Sequence, residues 1–173
     1  MRYLPALCIV LVICGCGTDV DVPIKGYRAK VEIYELKSFT TGIDSSYNPP
    51  VTVIRNIVLA DTPLVKDEEI NSYTKSSFTF ESAINLNPII KNYGPDKAFA
   101  VTVDKNIIYT GMFRPSYLSS IILSMPYIDP LSANNTVTIG LPTIAGVGYT
   151  QPADKRNDFV LMYVFSISGR LKP

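Results

Sequence analysis

Hydrophobic and polar residues alternate along much of this chain with the period of two that is typical of half-buried β-strands. The alternation is regular over residues 27–35, where Tyr27, Ala29, Val31 and Ile33 fall on one face. Further alternating or β-branched segments predict strands at 51–60, 76–80, 99–103, 107–111, 119–125, 135–141 and 158–168. Such a series predicts an all-β fold, a single antiparallel β-sandwich of about seven or eight strands, with an immunoglobulin-like arrangement as one form.

Two of these segments form the most specific local pattern in the chain. The segments 99–103 and 107–111 flank the polar sequence Asp104-Lys105-Asn106, which has the length of a hairpin turn. In contrast, 158–168 is the most apolar stretch of the body, and its length of about ten residues predicts a central strand. Residues 40–50 carry two prolines and several small polar residues, which predicts a loop.

Helical signals are few. Asn87 and Pro88 suit a helix start, and Gly94 followed by Pro95 would end a single short helix there. An α+β domain with helices at 64–75 and 113–123 remains the alternative to the β-sandwich.

The N-terminus combines a short positive start with an apolar segment. Met1 and Arg2 precede an uncharged run at 4–13. A membrane-spanning helix needs about 20 apolar residues, whereas the hydrophobic region of a secretory signal needs only about 7–15. The run therefore predicts a signal peptide.

This run ends in Ile13-Cys14-Gly15-Cys16, which resembles the lipobox of bacterial lipoproteins. The resemblance covers these few residues only, and Cys14 stands where such sequences usually have Ala or Ser. It implies cleavage before Cys16 and lipidation of the Cys16 thiol. The domain division that follows is a signal peptide at 1–15, a lipidated tether at 16–25 and a β-rich domain at 26–173. Gly17, with no Asp at that place, resembles the outer-membrane sorting class.

Composition narrows the chemistry open to the body of the chain. Histidine is absent, and the three cysteines, Cys8, Cys14 and Cys16, all lie in the first sixteen residues. A Ser-His-Asp triad, a Cys-His pair and a His/Cys zinc site are therefore excluded, and no cofactor or metal is expected. Lys plus Arg number 16 and Asp plus Glu number 15, so the excess of one positive charge is too small to favour nucleic acid binding.

Catalysis would then depend on carboxylates or on a serine with a lysine. Asp67, Glu68 and Glu69 are the densest acids, but such a run is normally solvated surface charge, and Glu35 and Glu81 lie near strand ends. A hydroxyl cluster lies near Arg114, comprising Ser116, Ser119 and Ser120, although nothing in the sequence supplies a base.

Two loops and a set of tyrosines are the remaining candidates for ligand-binding sites. Residues 154–158 are oxygen-rich but lack the spacing of a calcium loop, so a charged hairpin turn is predicted. Gly140, Gly146 and Gly148 lack a following helix and lysine, which indicates a strand connection rather than a phosphate loop. The loop tyrosines that could form a sugar- or peptide-binding face are Tyr47, Tyr93, Tyr117, Tyr127 and Tyr149.

These features lead to one functional hypothesis and two alternatives. The leading hypothesis is a non-enzymatic binding or scaffolding module of the bacterial envelope, held at the membrane by its lipid anchor, with a glycan or protein as partner. The alternatives are an envelope glycan hydrolase that uses Asp or Glu, and a structural subunit of a surface assembly that exchanges strand edges with its neighbours.

Overall fold

The computed structural model describes residues 28–118, 124–143, 148 and 150–173. The predicted signal peptide, Cys16, the predicted tether and most of the strand predicted at 119–125 lie outside the described residues. Nine strands are present in the described part: β1 (Val31–Asp44), β2 (Val51–Leu59), β3 (Ile70–Thr74), β4 (Thr79–Ser82), β5 (Ala98–Val103), β6 (Asn106–Phe113), β7 (Tyr127–Ile128), β8 (Thr136–Gly140) and β9 (Leu171–Lys172).

Helices form a small part of the fold. They are α1 (Asn87–Ile90), α2 (Phe159–Ile167) and a 3₁₀ turn at Asp67–Glu69. The all-β, sandwich-like prediction is confirmed, because the fold is mostly β-structure. Of the helices in the α+β alternative, 64–75 holds the 3₁₀ turn and β3, and the one at 113–123 would begin at the last residue of β6. No helix in the described segments has the length and apolar character needed to cross a membrane.

The strands form one mixed sheet in the order β2-β1-β5-β6-β7-β8-β4-β3-β9. Most neighbours are antiparallel, as predicted, but β6–β7 and β3–β9 are parallel pairs of two residues on each side. The main core takes side chains from both halves of the sheet, including Val101 and Phe113 on one side and Phe80 and Ile139 on the other. The two halves therefore face a shared interior, which gives the sheet its sandwich-like character.

A second, smaller core lies on the other face of β1, β5 and β6. Val31 and Ile33 of β1 belong to the main core, whereas Leu36 belongs to the second one, as the period of two requires. The pairing of β1 with β2 is irregular between Leu36 and Thr40. From β2, Ile54, Ile57 and Leu59 pack against this second core.

The hairpin of β5 and β6 is confirmed. The strands are antiparallel, with Val101 opposite Tyr109. Asp104 and Lys105 both have positive φ, 51° and 64°, which is the backbone of a two-residue type I′ turn. Asn106, predicted as the third turn residue, is instead the first residue of β6.

The prediction of a central strand at 158–168 is wrong, because this segment forms α2. The Asp158 side chain accepts a hydrogen bond from the Val160 N–H at 3.0 Å, which caps the first turn. Gly169 has φ +67°, a left-handed conformation that commonly ends helices. Leu161, Val164 and Phe165 share one helix face and enter the main core.

Smaller corrections concern element boundaries. β1 continues to Asp44, so much of the loop predicted at 40–50 is strand paired with β2. The strand predicted at 76–80 begins only at Thr79, after a turn in which Phe78 has φ 53°. The predicted short helix is present as α1 with Pro88 in its first turn, but Asn87 is its first residue rather than its cap, and it ends at Ile90, before Gly94.

Candidate functional site

The outward face of α2 is apolar, although it is exposed to solvent. Phe159 is 80% exposed, Tyr163 55% and Ile167 59%. These three residues are spaced by four, so they form one line along the helix, and Val160 lies beside them at 45% exposure. Because all residues of α2 except Ser166 are apolar or aromatic, burying one face in the core leaves a second, mostly apolar face uncovered within the described residues.

A shallow groove runs beside this face. Its volume is about 470 Å³, and Met162 and Leu171 contribute apolar surface to it together with the two exposed rings. Those rings, Phe159 and Tyr163, stack with their centroids 6.1 Å apart. Lys75 supplies the positive charge at the groove. The groove therefore combines aromatic, aliphatic and cationic surface.

The loop before α2 is held by Arg156. Its guanidinium donates to Asp154 Oδ2 at 2.7 Å and to the Ile139 carbonyl at 2.8 Å, and lies 3.6 Å from the centre of the Phe78 ring. Burial raises the pKa of Asp154, but the hydrogen bonds from Arg156 outweigh it and leave that pKa below its usual value. The predicted charged hairpin turn is therefore wrong: residues 154–158 lead into a helix that Asp158 caps.

A buried ion pair joins Asp67, in the 3₁₀ turn before β3, to Arg170, which follows α2. Asp67 is 8% exposed and Arg170 9%, and Arg170 Nη2 donates to Asp67 Oδ1 at 2.7 Å. The same oxygen accepts the Val31 N–H at 3.0 Å, while Arg28 Nε lies 3.8 Å from the other carboxylate oxygen. The prediction of a fully solvated acidic run is wrong for Asp67, whose partner lies 103 residues away in the sequence.

Glu35, a candidate because it was predicted to lie near a strand end, lies inside β1 instead and has its own partners. It accepts from Tyr93 Oη at 2.6 Å and from Lys97 Nζ at 2.5 Å. Burial raises the pKa of Glu35, but the hydrogen bonds from Lys97 and Tyr93 outweigh it and hold that pKa below its usual value. Burial and the bond to Glu35 raise the pKa of Tyr93 to about 12.

Glu81 repeats this arrangement on the other half of the sheet. It accepts from Lys172 Nζ and from Ser72 Oγ, both at 2.6 Å, and these bonds lower its pKa. Glu35 and Glu81 are thus each neutralised by a separate lysine. Within the described residues, no three carboxylate side chains gather where they could hold a metal ion.

Ser116 and Arg114 share a polar pocket of about 290 Å³, to which Tyr127 and Asp129 also contribute. The Arg114 guanidinium lies 5.8 Å from the centre of the Tyr127 ring and donates to the Leu118 carbonyl at 2.7 Å. No lysine is among the described residues that line this pocket, so a Ser/Lys nucleophile has no base there. Ser119 and Ser120, the other predicted hydroxyls, lie outside the described residues.

The predicted loop tyrosines have different roles. Tyr93 is half-buried and bonded to Glu35, whereas Tyr117 is 73% exposed. The Tyr127 ring lies where a side chain on Gly140 would stand, which explains a glycine at that place in β8. Tyr47 is half-buried near the β1–β2 connection. Tyr149 and Gly146 lie outside the described residues, while Gly148 has φ +84°, as a turn requires.

Sequence reasoning missed the hydroxyl of Tyr109. This atom is buried and has no hydrogen-bond partner among the described residues. Burial raises the pKa of Tyr109 well above its usual value. Tyr109 also borders a cavity of about 270 Å³ that Ile54, Met125 and Lys155 help to line. No sequence signal marks this tyrosine, because its lack of a partner depends on tertiary structure.

Comparison with known proteins found no matching family model, no similar curated protein and no similar solved structure.

Proposed function

We propose that this chain is a lipid-anchored, non-enzymatic binding or scaffolding module of the bacterial cell envelope. The observation that carries the proposal is the sequence Ile13-Cys14-Gly15-Cys16 directly after the apolar run at 4–13. One acyl chain binds a membrane only marginally, so the two or three chains of lipoproteins are needed for stable anchoring. The folded domain would then act at a bilayer surface.

The arrangement of the acids supports binding rather than glycan hydrolysis. A glycosidase needs two carboxyl groups about 5–10 Å apart, one of them with a raised pKa so that it can donate a proton. The pKa values of Glu35 and Glu81 are lowered instead, and each carboxylate has its own lysine. The Asp67 carboxylate forms an ion pair with Arg170 inside the domain.

The exposed face of α2 supports a surface with a binding role. Contiguous apolar patches on soluble domains commonly mark sites of protein or membrane interaction. Phe159, Val160, Tyr163 and Ile167 form such a patch, and the neighbouring groove extends it. A glycan or a protein remains the proposed partner for the rest of the domain surface.

The anchor is tested by labelling bacteria that produce the full chain with radioactive palmitate. We expect Cys16→Ala to lose both the label and sedimentation with membranes, because Cys16 is the proposed acylated thiol. Cys8→Ala, a matched control within the signal segment, should keep both. Label that persists in Cys16→Ala would contradict the proposal.

A structural subunit is a second candidate, because β2 lies at the end of the sheet. Within the described sheet, β2 pairs only with β1 and presents an edge of nine residues. An open edge of this length could accept a strand from a neighbouring molecule. The irregular pairing near Asn56, which has φ 51°, limits the regular part of that edge.

Disulfide trapping tests this candidate in cells, since every natural cysteine lies in the first sixteen residues. Antiparallel pairing of β2 with β2 of a second copy predicts disulfide-linked dimers from Arg55→Cys, at the middle of the strand, and none from Lys105→Cys in the β5–β6 turn. Monomers from both variants would contradict strand exchange at this edge.

A further inference from the structure

The exposed residues of α2 follow the spacing of one continuous helix face. Phe159, Val160, Tyr163, Ser166 and Ile167 are the exposed positions, and only Ser166 is not a large hydrophobic residue. The nine residues of α2 give this face a length of about 14 Å at 1.5 Å per residue. All of the exposed apolar residues of α2 can therefore contact one flat surface at the same time.

The chemistry beside this face suits the boundary between water and lipid. The rings of Phe159 and Tyr163, the second with a polar hydroxyl, line the groove together with Lys75. Tyrosine rings and the stems of lysines prefer the interface, where the apolar part is buried and the polar end stays hydrated, and a phenylalanine ring adds apolar surface to the buried part. Lys75 has no carboxylate partner within the described part of the chain, so its ammonium is available to lipid phosphates.

The chain enters the domain beside the same helix. Arg28, the first described residue, lies 3.8 Å from Asp67, and Asp67 is bonded to Arg170, which follows the end of α2. The Arg170 N–H also donates to the Phe165 carbonyl within α2 at 2.9 Å. A single carboxylate therefore links the chain entry to the C-terminal end of the helix.

The length of chain between the proposed anchor and this entry sets an upper limit on their separation. Residues 17–27 separate Cys16 from Arg28, and at most about 3.5 Å per residue allows no more than about 40 Å between them. A domain tied to a bilayer through this connection keeps the chain entry, and with it the C-terminal end of α2, within about 40 Å of the membrane.

We infer that the exposed face of α2 docks on the lipid bilayer that holds Cys16. The inference rests on the proposed function, because it needs the anchor. The exposed residues of α2 enter the interface, and Lys75 contacts lipid phosphates. The domain thereby takes a fixed orientation on the membrane and leaves its other surfaces free for a partner.

The chain contains no tryptophan, so one introduced tryptophan is a unique fluorescent probe. Phe159→Trp and Tyr163→Trp place it on the helix face, and Ile43→Trp is the matched control on β1, where Ile43 is 62% exposed. Each lipidated full chain is reconstituted into vesicles of phosphatidylethanolamine and phosphatidylglycerol, with or without bromine on the acyl chains. Bromine quenches only tryptophan that reaches the lipid.

We expect bromine to quench both helix probes roughly twofold more than the Ile43→Trp probe, because only the helix face enters the interface. Equal quenching at all three positions would overturn the inference. Emission from the helix probes that shifts to the blue with protein concentration, without bromine quenching, would assign the face to a second copy and also overturn it.

Intact mass measured on the same samples separates the two proposals. A lipidated chain whose helix probes are not quenched would overturn the docking inference and leave the proposed function standing. An unmodified Cys16 would overturn the proposed function and the docking inference together. Thermal unfolding of each variant verifies that the introduced tryptophan leaves the fold intact.

Discussion

Replacing Asp67 by alanine removes the carboxylate on which the two ends of the domain meet. The substitution removes the acceptor for the Val31 N–H at 3.0 Å and for Arg170 Nη2 at 2.7 Å. It also leaves Arg170, which is 9% exposed, with a positive charge inside the domain, and Arg28 loses its partner. The variant therefore tests whether this ion pair is needed for the fold.

The expected cost is large for a single substitution. Removing one partner of a buried ion pair typically costs about 3–5 kcal/mol, because the remaining charge is left without compensation. Arg170 keeps its bonds to the carbonyls of Asp67 and Ile70, at 3.0 and 3.1 Å, so the lower part of this range is expected. Total stabilities of about 5–15 kcal/mol make this a substantial fraction of the whole.

Urea unfolding followed by circular dichroism measures this loss, with Asp61→Ala as the matched control. Asp61 also forms an ion pair, with Lys37 at 3.2 Å, but its side chain is 87% exposed, so its removal should cost less than about 1 kcal/mol. The double variant Asp67→Ala, Arg170→Met should recover part of the loss, because no isolated charge remains. If Asp67→Ala costs no more than Asp61→Ala, the argument for a buried ion pair is refuted.

Two further predictions concern a buried hydroxyl and a titrating carboxylate. Tyr109→Phe should raise the free energy of unfolding by about 1 kcal/mol in urea titrations, because it removes a buried hydroxyl that has no partner in the described structure. Tyr73→Phe should instead cost about 1 kcal/mol, because the Tyr73 hydroxyl donates to the Arg156 carbonyl at 2.8 Å; a loss in both variants would contradict the first prediction. The pKa of Glu35 is lower in the folded chain, so its stabilising effect is present above the unfolded pKa and is lost as the pH falls through the folded pKa. Unfolding titrations at about pH 5 and about pH 3 measure how far the free energy of unfolding falls on acidification, and this fall should be smaller for Glu35→Gln than for wild type. The exposed Glu68→Gln variant is the control. A fall in Glu35→Gln as large as in wild type and in this control would contradict the prediction.

The β-rich architecture could be predicted because local patterns determine much of it. The alternation of residues 27–35 and the polar turn at Asp104 and Lys105 reflect short-range rules, and β1 and the β5–β6 hairpin follow them. The predicted boundary of β1 fell short because pairing with β2, a tertiary contact, extends the strand to Asp44.

The nature of α2 was missed for a physical reason. Its sequence is apolar all round, so neither a period of two nor a period of 3.6 stands out, and its β-branched and aromatic residues favoured a strand. Asp158 before the segment and Gly169 after it were the available start and stop signals of a helix. Asp158 as an N-cap and Gly169 as a helix stop together predict a helix between them.

The buried ion pair could not be derived from sequence. Asp67 stands in a run of acids, which is normally solvated, and nothing local indicates that Arg170 will reach it. The partnerless hydroxyl of Tyr109 is likewise a consequence of tertiary packing alone. Long-range polar contacts of this kind have no short-range pattern.

The mass of the N-terminal peptide, isolated from the membranes of bacteria that produce the full chain, tests the central claim most directly. We expect a peptide that begins at Cys16 and carries the added mass of a diacylglyceryl group. A peptide that begins at Met1, or one that contains Cys16 with a free thiol, would contradict it.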